Sequence, residues 1–252
     1  MGNLQRELEI LQILRKKKYD TVENLSHVIH ISPSSIRRDL THLESQGLIQ
    51  RDHGGASILP YIPGMAPFRS RLHEDKKGKL SIIRAAADLI KPHSTLYVDS
   101  STMVMDIYQY LSSDMNLTVF TNNTLLAHLL AEKKIKTYCI GGCISQRNDV
   151  ITTGTYALQM LENIYVDYMF FSSSALTEGG IVSDLDEDET AIRKRMLSHA
   201  RTKIFLCHHN RFGKNAPFGL TDIHCLDYIF SDFDFPECFQ ERYANVSFIK
   251  AT

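Results

Sequence analysis

The sequence predicts an α/β protein in two parts: a small N-terminal domain of three helices and a hairpin, and a larger domain with a mostly parallel β-sheet. Near its start the chain has three short amphipathic segments followed by a Gly-Gly turn. Two prolines and a glycine in YIPGMAPF, residues 61–68, interrupt that pattern. Beyond them, short β-rich runs alternate with helical segments, as is typical of a parallel sheet covered on both faces. We therefore expect domains at 1–59 and 75–252, joined by a linker at 60–74.

Length, composition and charge restrict the class of protein. With 252 residues, of which 43% are hydrophobic and 23% charged, the chain can form one full-sized domain and one small one. The formal charge of -1 argues against a protein that coats nucleic acid or membrane through bulk charge. The five cysteines lack paired zinc-site spacing, which indicates free thiols in a reducing compartment. With no membrane-length apolar run and a charged start, MGNLQRELEI, we expect a cytoplasmic protein without a membrane partner.

Three helices are predicted in the first domain. The first covers Leu4 to Lys18, and the second begins after a Thr21 cap and ends near His30. The third is SPSSIRRDLTHLESQG, in which Ser32 is the N-cap, Pro33 takes the first helical position and Gly47 is the stop. The side chains expected to face the core are Leu4, Leu8, Leu11, Leu14, Val22, Leu25, Val28, Ile29, Ile36, Leu40 and Leu43.

The third helix is predicted to bind DNA. LIQRDHGGASIL follows it with the pattern of a tight hairpin, so the domain has the elements of a winged helix-turn-helix. Residues 1–57 hold 8 Lys and Arg against 7 Asp and Glu, so affinity must depend on where the charges lie. The competing interpretation is that adjacent arginines only solvate a helix face. The predicted DNA contacts are Ser34, Ser35, Arg37, Arg38, Thr41, His42, Arg51 and His53.

Polar loops follow the predicted strands of the second domain. The carboxyl ends of the strands form the ligand crevice of open α/β sheets, and a loop entering a helix offers N–H groups to an anion. This pattern predicts a small anionic ligand, whereas the alternative is that Ser, Thr and Asn serve there only as caps and turn formers. The loops are residues 99–102, 121–123, 141–142, 172–174 and 208–210.

SSIRRDLTHLESQGLIQRDHGGA resembles the DNA-binding signature of the DeoR family of bacterial transcriptional regulators, usually repressors. The second domain resembles that family's effector-sensing domain, related in fold to ribose-phosphate isomerases and CoA transferases, in DSSTM, TNN, IGG with Gly154, and HHNRFG followed by DYIFSD. The resemblance implies a repressor of a carbohydrate-metabolism operon that binds double-stranded operator DNA and a small phosphorylated sugar or polyol. It implies neither a cofactor nor enzymatic activity. Because one small reading head contacts few base pairs, we expect a homodimer or homotetramer.

Two motifs depart from the family pattern. In the phosphate loop, D-x-G-T-T in the family, Ser101 replaces the glycine and Met103 the second threonine. In D-x-S-K-F-G, His208 replaces the carboxylate, while Arg211 keeps the cation and can hold a phosphate. His208 cannot replace a carboxylate that accepts hydrogen bonds from sugar hydroxyls, or that acts as a general base, without changing the chemistry. The candidate effector-binding residues are Asp99, Ser100, Ser101, Thr102, Thr121, Asn122, Asn123, Gly141, Gly142, Glu189, His208 and Arg211.

Three alternatives remain beside a sugar-phosphate-responsive regulator. One is an isomerase-like enzyme, disfavoured because His208 occupies the acid/base position. Another is a regulator that responds to a non-sugar effector. The third is a metal sensor using Cys207, His208 and His209 with Cys139 and Cys143, but neighbours on a strand point to opposite faces, so we expect no metal site.

The acidic run DLDEDE, residues 184–189, is predicted to be a solvated helix start from which Glu189 reaches the ligand.

Overall fold

The computed structural model describes residues 3–45, 48–52, 54–58 and 68–251. The chain divides into two compact units, and the boundary between them falls between Glu74 and Asp75. Several predictions lie outside the described part of the chain: the Gly47 stop, the wing residue His53, the side chains of Leu4 and Leu8, and most of the predicted linker.

The first unit has the three predicted helices and hairpin, with one additional strand. Its elements up to residue 58 are α1 (Asn3–Lys17), β1 (Tyr19–Thr21), α2 (Val22–Ile29), α3 (Pro33–Ser45), β2 (Ile49–Asp52) and β3 (Gly55–Ile58). β2 and β3 form the antiparallel hairpin, and β1 pairs with the other edge of β3. Gly54, in the two-residue turn, has φ +83°, a conformation that favours glycine. The sequence did not predict β1, because three residues are too few to give a pattern.

The core of the first unit forms where the helices face one another. Ile36, Leu40 and Leu43 on α3 are buried as predicted. Val28 is an exception, because its side chain is 48% exposed. On a helical wheel Val28 lies at the margin of the stripe formed by Val22, Leu25 and Ile29, and α1 and α3 do not cover that margin.

The start of α2 provides a test of the N-cap. The hydroxyl of Thr21 accepts a hydrogen bond from the backbone N–H of Asn24 at 3.1 Å. Thr21→Ala removes this acceptor, so we expect it to lower the free energy of unfolding of the first unit by about 1 kcal/mol. Urea denaturation followed by circular dichroism measures the loss. Thr21→Ser is the control, since it keeps the hydroxyl; an equal loss in both variants would contradict the cap.

The segment predicted as a linker contains a helix. α4 spans Phe68–His73, within residues 60–74. The prolines and glycine that suggested a linker all precede α4, where they cannot interrupt it.

The second unit is an α/β domain with a seven-stranded parallel sheet, as predicted. Its helices are α5 (Lys76–Ala87), α6 (Thr124–Glu132), α7 (Thr155–Leu161), α8 (Glu187–His199) and α9 (Glu237–Arg242). Its strands are β4 (Thr95–Val98), β5 (Thr118–Thr121), β6 (Lys136–Cys139), β7 (Cys143–Ser145), β8 (Asn148–Thr153), β9 (Val166–Phe171), β10 (Ala175–Leu176), β11 (Ile181–Asp184), β12 (Ala200–Cys207), β13 (Phe218–Asp222), β14 (Tyr228–Ser231) and β15 (Ser247–Lys250). The order of the main sheet is β15-β14-β12-β9-β4-β5-β6, and each neighbouring pair is parallel.

Two smaller sheets join this domain. β7 and β8 form an antiparallel hairpin, and β10, β11 and β13 form an antiparallel sheet. These short strands, like β15, were not predicted from the sequence. Since all strands of the main sheet run in one direction, the loops after β4, β5, β6, β9, β12 and β14 meet at one edge.

The segment after β4 contains no α-helix. Turns at 102–104 lead into a 3₁₀ helix over Met105–Tyr110. Val104 and Ile107 are fully buried and three residues apart, which matches the three-residue turn of a 3₁₀ helix. Thr102 therefore lies in a turn and not at the N-terminus of an α-helix. Among the described residues, no helix has the length and apolar character that a bilayer crossing requires.

Candidate functional site

The outer face of α3 presents cations in the first unit. Arg37 and Arg38 are exposed, on the side opposite the buried Ile36 and Leu40. Arg37 lies 3.7 Å from Glu23, and both of these side chains are more than half exposed, so the pair is readily separated by a competing anion. Of the other predicted contacts on α3, Ser34 and Thr41 are exposed and Ser35 is half-buried. This face can reach into a major groove.

A partly buried ion pair that was not predicted from the sequence fixes the orientation of α3. Asp39, only 1% exposed, accepts two hydrogen bonds from the guanidinium of Arg6 on α1, at 2.6 and 2.7 Å. The hydrogen bond to Asp39 raises the pKa of Arg6. Bidentate geometry holds the two helices at one angle, so the arginines that follow Ile36 project outward in a defined direction.

Two further predicted DNA contacts, His42 and Arg51, have partners within the first unit. His42 Nδ1 lies 2.8 Å from the carboxylate of Glu7, so His42 contacts α1 as well as solvent. Arg51 donates to the hydroxyl of Thr41 at 3.0 Å, and its backbone N–H donates to Glu44 at 3.1 Å. Arg51 thus joins the wing to α3.

A buried arginine lies at the centre of the second unit's polar edge. Arg193 on α8 donates to Asp99 at 2.8 Å, to Asp184 at 2.9 Å and to Glu189 at 3.0 Å. All four side chains are at most 6% exposed. Burial lowers the pKa of Arg193, but the charges of the three carboxylates outweigh burial and raise it well above its usual value. We call these four residues the Arg193 cluster.

Arg193 was not among the residues predicted from the sequence. The one signal for it in the sequence is that Glu189 lies four residues earlier on the same helix, a spacing that indicates an ion pair. Asp99 also accepts N–H bonds from Ser101 at 2.9 Å and Ser172 at 3.3 Å, so the cluster links the loops after β4 and β9.

The acidic run before α8 is largely buried, contrary to the prediction. Asp184, Asp186 and Glu189 are at most 6% exposed, and among these six residues only Glu187 and Asp188 are exposed. Asp186 caps α8 by accepting the N–H of Glu189 at 2.9 Å. The prediction of a solvated run was wrong because Arg193 pairs with Asp184 and Glu189 inside the fold.

Three buried polar atoms at this edge have no hydrogen-bond partner among the described residues. They are Ser101 Oγ, His208 Nδ1 and Asn210 Oδ1. Ser101 follows β4, and the other two follow β12; these strands flank β9 in the sheet. Because a buried polar group without a partner is costly, the atoms indicate where a polar ligand can bind.

The polar side chains of the loop after β5 form hydrogen bonds within the fold. Asn122 accepts a hydrogen bond from Tyr97 at 2.9 Å and donates to the carbonyl of Thr152 at 3.1 Å. Asn123 caps α6, and Thr121 accepts the N–H of Asn123. All three side chains are at most 1% exposed, which favours the competing interpretation that they serve the local structure. Gly141 and Gly142 follow β6, which lies two strands away from β4.

His208 and Arg211 have different surroundings. The buried His208 places Nε2 2.7 Å from Asp75 and 3.5 Å from Asp232. Its hydrogen bond lowers the pKa of the Asp75 carboxyl. Arg211 donates to the carbonyl of Ser174 at 3.4 Å, and the Ser174 hydroxyl donates to Asp184 at 2.6 Å. Arg211 is thus linked through Ser174 to the Arg193 cluster.

The cysteine-based metal site is not formed. Cys139 and Cys143 are exposed near the β6 edge, whereas Cys207 is fully buried in the core, and burial raises the pKa of its thiol. The strand argument against His208 and His209 facing one side is nevertheless wrong, because His209 begins a 3₁₀ helix. Their ring centroids lie 4.1 Å apart.

Comparison with known proteins covers both units. Residues 6–60 match the DeoR-like helix-turn-helix domain, and residues 74–233 match the DeoR C-terminal sensor domain. A glycerol-3-phosphate regulon repressor of Escherichia coli is 28% identical over 92% of each chain. An L-fucose operon activator of Haemophilus influenzae is 28% identical over 95% of each chain. The transcriptional repressor GlcR of Bacillus subtilis is 28% identical over 90% of this chain and 88% of its own.

A solved ribose 5-phosphate isomerase A of Methanocaldococcus jannaschii aligns over 55% of each chain with 12% identity and a TM-score of 0.41. The two domain matches together extend over most of the chain, and they show its family. With an arginine-bearing recognition helix in the first unit and a polar sheet edge in the second, this chain belongs to the DeoR family of transcriptional regulators.

Proposed function

We propose that this protein represses a carbohydrate-metabolism operon by binding operator DNA through α3 and the wing, and that a small phosphorylated sugar or polyol controls the binding. One observation supports the DNA-binding part above all: the exposed pair Arg37 and Arg38 on a helix whose opposite face and buried Asp39 are fixed against the domain core. The repressors of Escherichia coli and Bacillus subtilis among the relatives favour this direction of control.

The site proposed for the effector is the sheet edge at β4, β9 and β12. The carboxylates of the Arg193 cluster exceed its cation by two formal charges, so they suit the hydroxyl groups of a polyol. Ser101, with its unpartnered hydroxyl, and Arg211 suit an anionic group. Of the residues proposed from the sequence, this site keeps Asp99, Ser100, Ser101, Thr102, Glu189 and Arg211.

A binding experiment tests the two parts together. Duplexes that the full-length protein retains from a random-sequence pool serve as the DNA, and a panel of sugar phosphates and polyol phosphates is added. The expected result is saturable DNA binding that one compound of the panel weakens. Analysis of the same samples for converted ligand distinguishes a regulator from an isomerase-like enzyme, and tighter DNA binding with ligand would favour an activator.

Replacement of Arg211 tests the phosphate end of the effector site. Arg211→Gln removes the cation, so we expect it to weaken a phosphorylated compound much more than its unphosphorylated parent. Thermal shift measures this, since a ligand at one hundred times its Kd stabilises the folded state by about 2.7 kcal/mol. Thr102→Val is expected to act in the same direction through its hydroxyl. Equal weakening of both ligands would show that neither residue contacts phosphate.

The assembly and location follow from the proposed role. A regulator that reads a two-fold operator requires two reading heads, so we propose a homodimer or homotetramer, which sedimentation of the full chain tests. A protein bound to the bacterial chromosome works in the cytoplasm.

A further inference from the structure

We infer that Asp75, His208, His209 and Asp232 form a binding site for a divalent transition metal ion. The inference goes beyond the proposed function, because metal binding requires neither DNA nor effector. Each residue offers one ligand atom, and the four atoms lie within 4.8 Å of one another.

The distances are close to those of a tetrahedral site. Zn²⁺ holds nitrogen and oxygen ligands at about 2.0–2.1 Å, which separates tetrahedral ligand atoms by about 3.4 Å. His208 Nε2 lies 3.5 Å from Asp232 Oδ2 and 2.7 Å from Asp75 Oδ2. His209 Nδ1 lies 2.5 Å from Asp232 Oδ2. An ion between them requires the two short pairs to open by roughly 1 Å or less.

The surrounding hydrogen bonds orient the carboxylates toward the centre of the site. Asp75 Oδ1 accepts the N–H of Gly78 at 3.2 Å, and Asp232 Oδ1 accepts the N–H of His209 at 2.7 Å. In both residues the second oxygen, Oδ2, is the one that faces the histidines. Supporting bonds of this kind fix ligand orientation in metal sites.

Charge and ligand chemistry select the class of ion. Two carboxylates with two neutral imidazoles carry a formal charge of -2, which a divalent cation balances. Imidazole favours Zn²⁺ and the other late first-row ions over Mg²⁺ and Ca²⁺, which prefer oxygen ligands. The 3₁₀ helix that begins at His209 turns its ring to the same side as that of His208.

The site connects three separate parts of the second unit. Asp75 is its first residue and caps α5, His208 and His209 follow β12, and Asp232 follows β14. A bound ion therefore fastens the point where the chain enters the sensor domain to the edge of its sheet.

Metal binding by the full-length protein tests the inference. After treatment with a chelator, the wild type is titrated with Zn²⁺ by calorimetry and with Co²⁺ by visible absorption, which reports tetrahedral coordination. We expect one ion per chain. His209→Ala and Asp232→Asn are expected to weaken Zn²⁺ binding by at least about 10- to 100-fold, and to remove the tetrahedral Co²⁺ bands.

His128→Ala is the matched control, because His128 also lies beside a carboxylate, Glu132, at 3.5 Å, but on the exposed surface of α6. It should bind Zn²⁺ like the wild type. Equal circular dichroism spectra without metal establish that the variants are folded. We expect His209→Ala to keep the fold, because the His209 side chain is 56% exposed. If the histidines instead pair with the carboxylates as imidazolium ions only, the wild type will show no saturable binding, and the inference fails. It also fails if wild type and both variants bind equally.

Discussion

The double variant Arg37→Ala with Arg38→Ala is expected to abolish operator binding and to leave the fold intact. Both side chains are exposed opposite the buried Ile36, Leu40 and Leu43, so their removal creates no cavity. Removing one hydrogen-bonded arginine from a base edge costs about 1–3 kcal/mol, so two such removals weaken binding by roughly 30-fold to more than 10⁴-fold. The plot of log affinity against log salt concentration has a negative slope, and removing one arginine from a phosphate makes this slope less steep by about one.

Fluorescence anisotropy over a series of salt concentrations measures both quantities. The control is Lys91→Ala with Lys194→Ala, which removes the same charge from exposed positions of the sensor unit. Its affinity and salt slope should stay close to those of the wild type. If the arginine variant retained wild-type affinity and salt dependence, α3 would not belong to the interface, and the proposed function would fail with it.

Arg193→Ala is expected to be the most destabilising single substitution in the sensor unit. It leaves Asp99, Asp184 and Glu189 buried without their shared cation, and breaking a buried ion pair from one side typically costs about 3–5 kcal/mol. Guanidinium denaturation of the full chain, followed by tyrosine fluorescence, measures the decrease in stability. The chain has 11 tyrosines and no tryptophan.

Arg195→Ala is the control for Arg193→Ala, since it removes the same group two residues later on the same helix, where the side chain is half-buried and makes no described ion pair. We expect a change within about 0.5 kcal/mol. A deficit for Arg193→Ala that matched the control would contradict the central role of this arginine.

The three helices and the hairpin of the first unit, and the six strands at the centre of the second unit's fold, could be predicted from the sequence. The stripe Ile36, Leu40 and Leu43 fixes which face of α3 is buried, because helical periodicity leaves Arg37 and Arg38 no other side. The main strands of the sheet could be predicted for a similar reason, since strands covered on both faces are short continuous apolar runs. Parallel strand direction then placed their polar loops at one edge.

The polar residues of that edge differ in their tertiary contacts, which the sequence does not reveal. Asn122 and Asn123 have the same local pattern as the other loops, yet their side chains are fully engaged in the fold. Arg193, Asp75 and Asp232 looked like ordinary charged residues, because their partners are distant in sequence: Asp99 is 94 positions from Arg193, and Asp75 is 133 positions from His208. Local periodicity reports which face of an element is buried, whereas the charges that meet across a buried crevice depend on strand order, which no local pattern encodes.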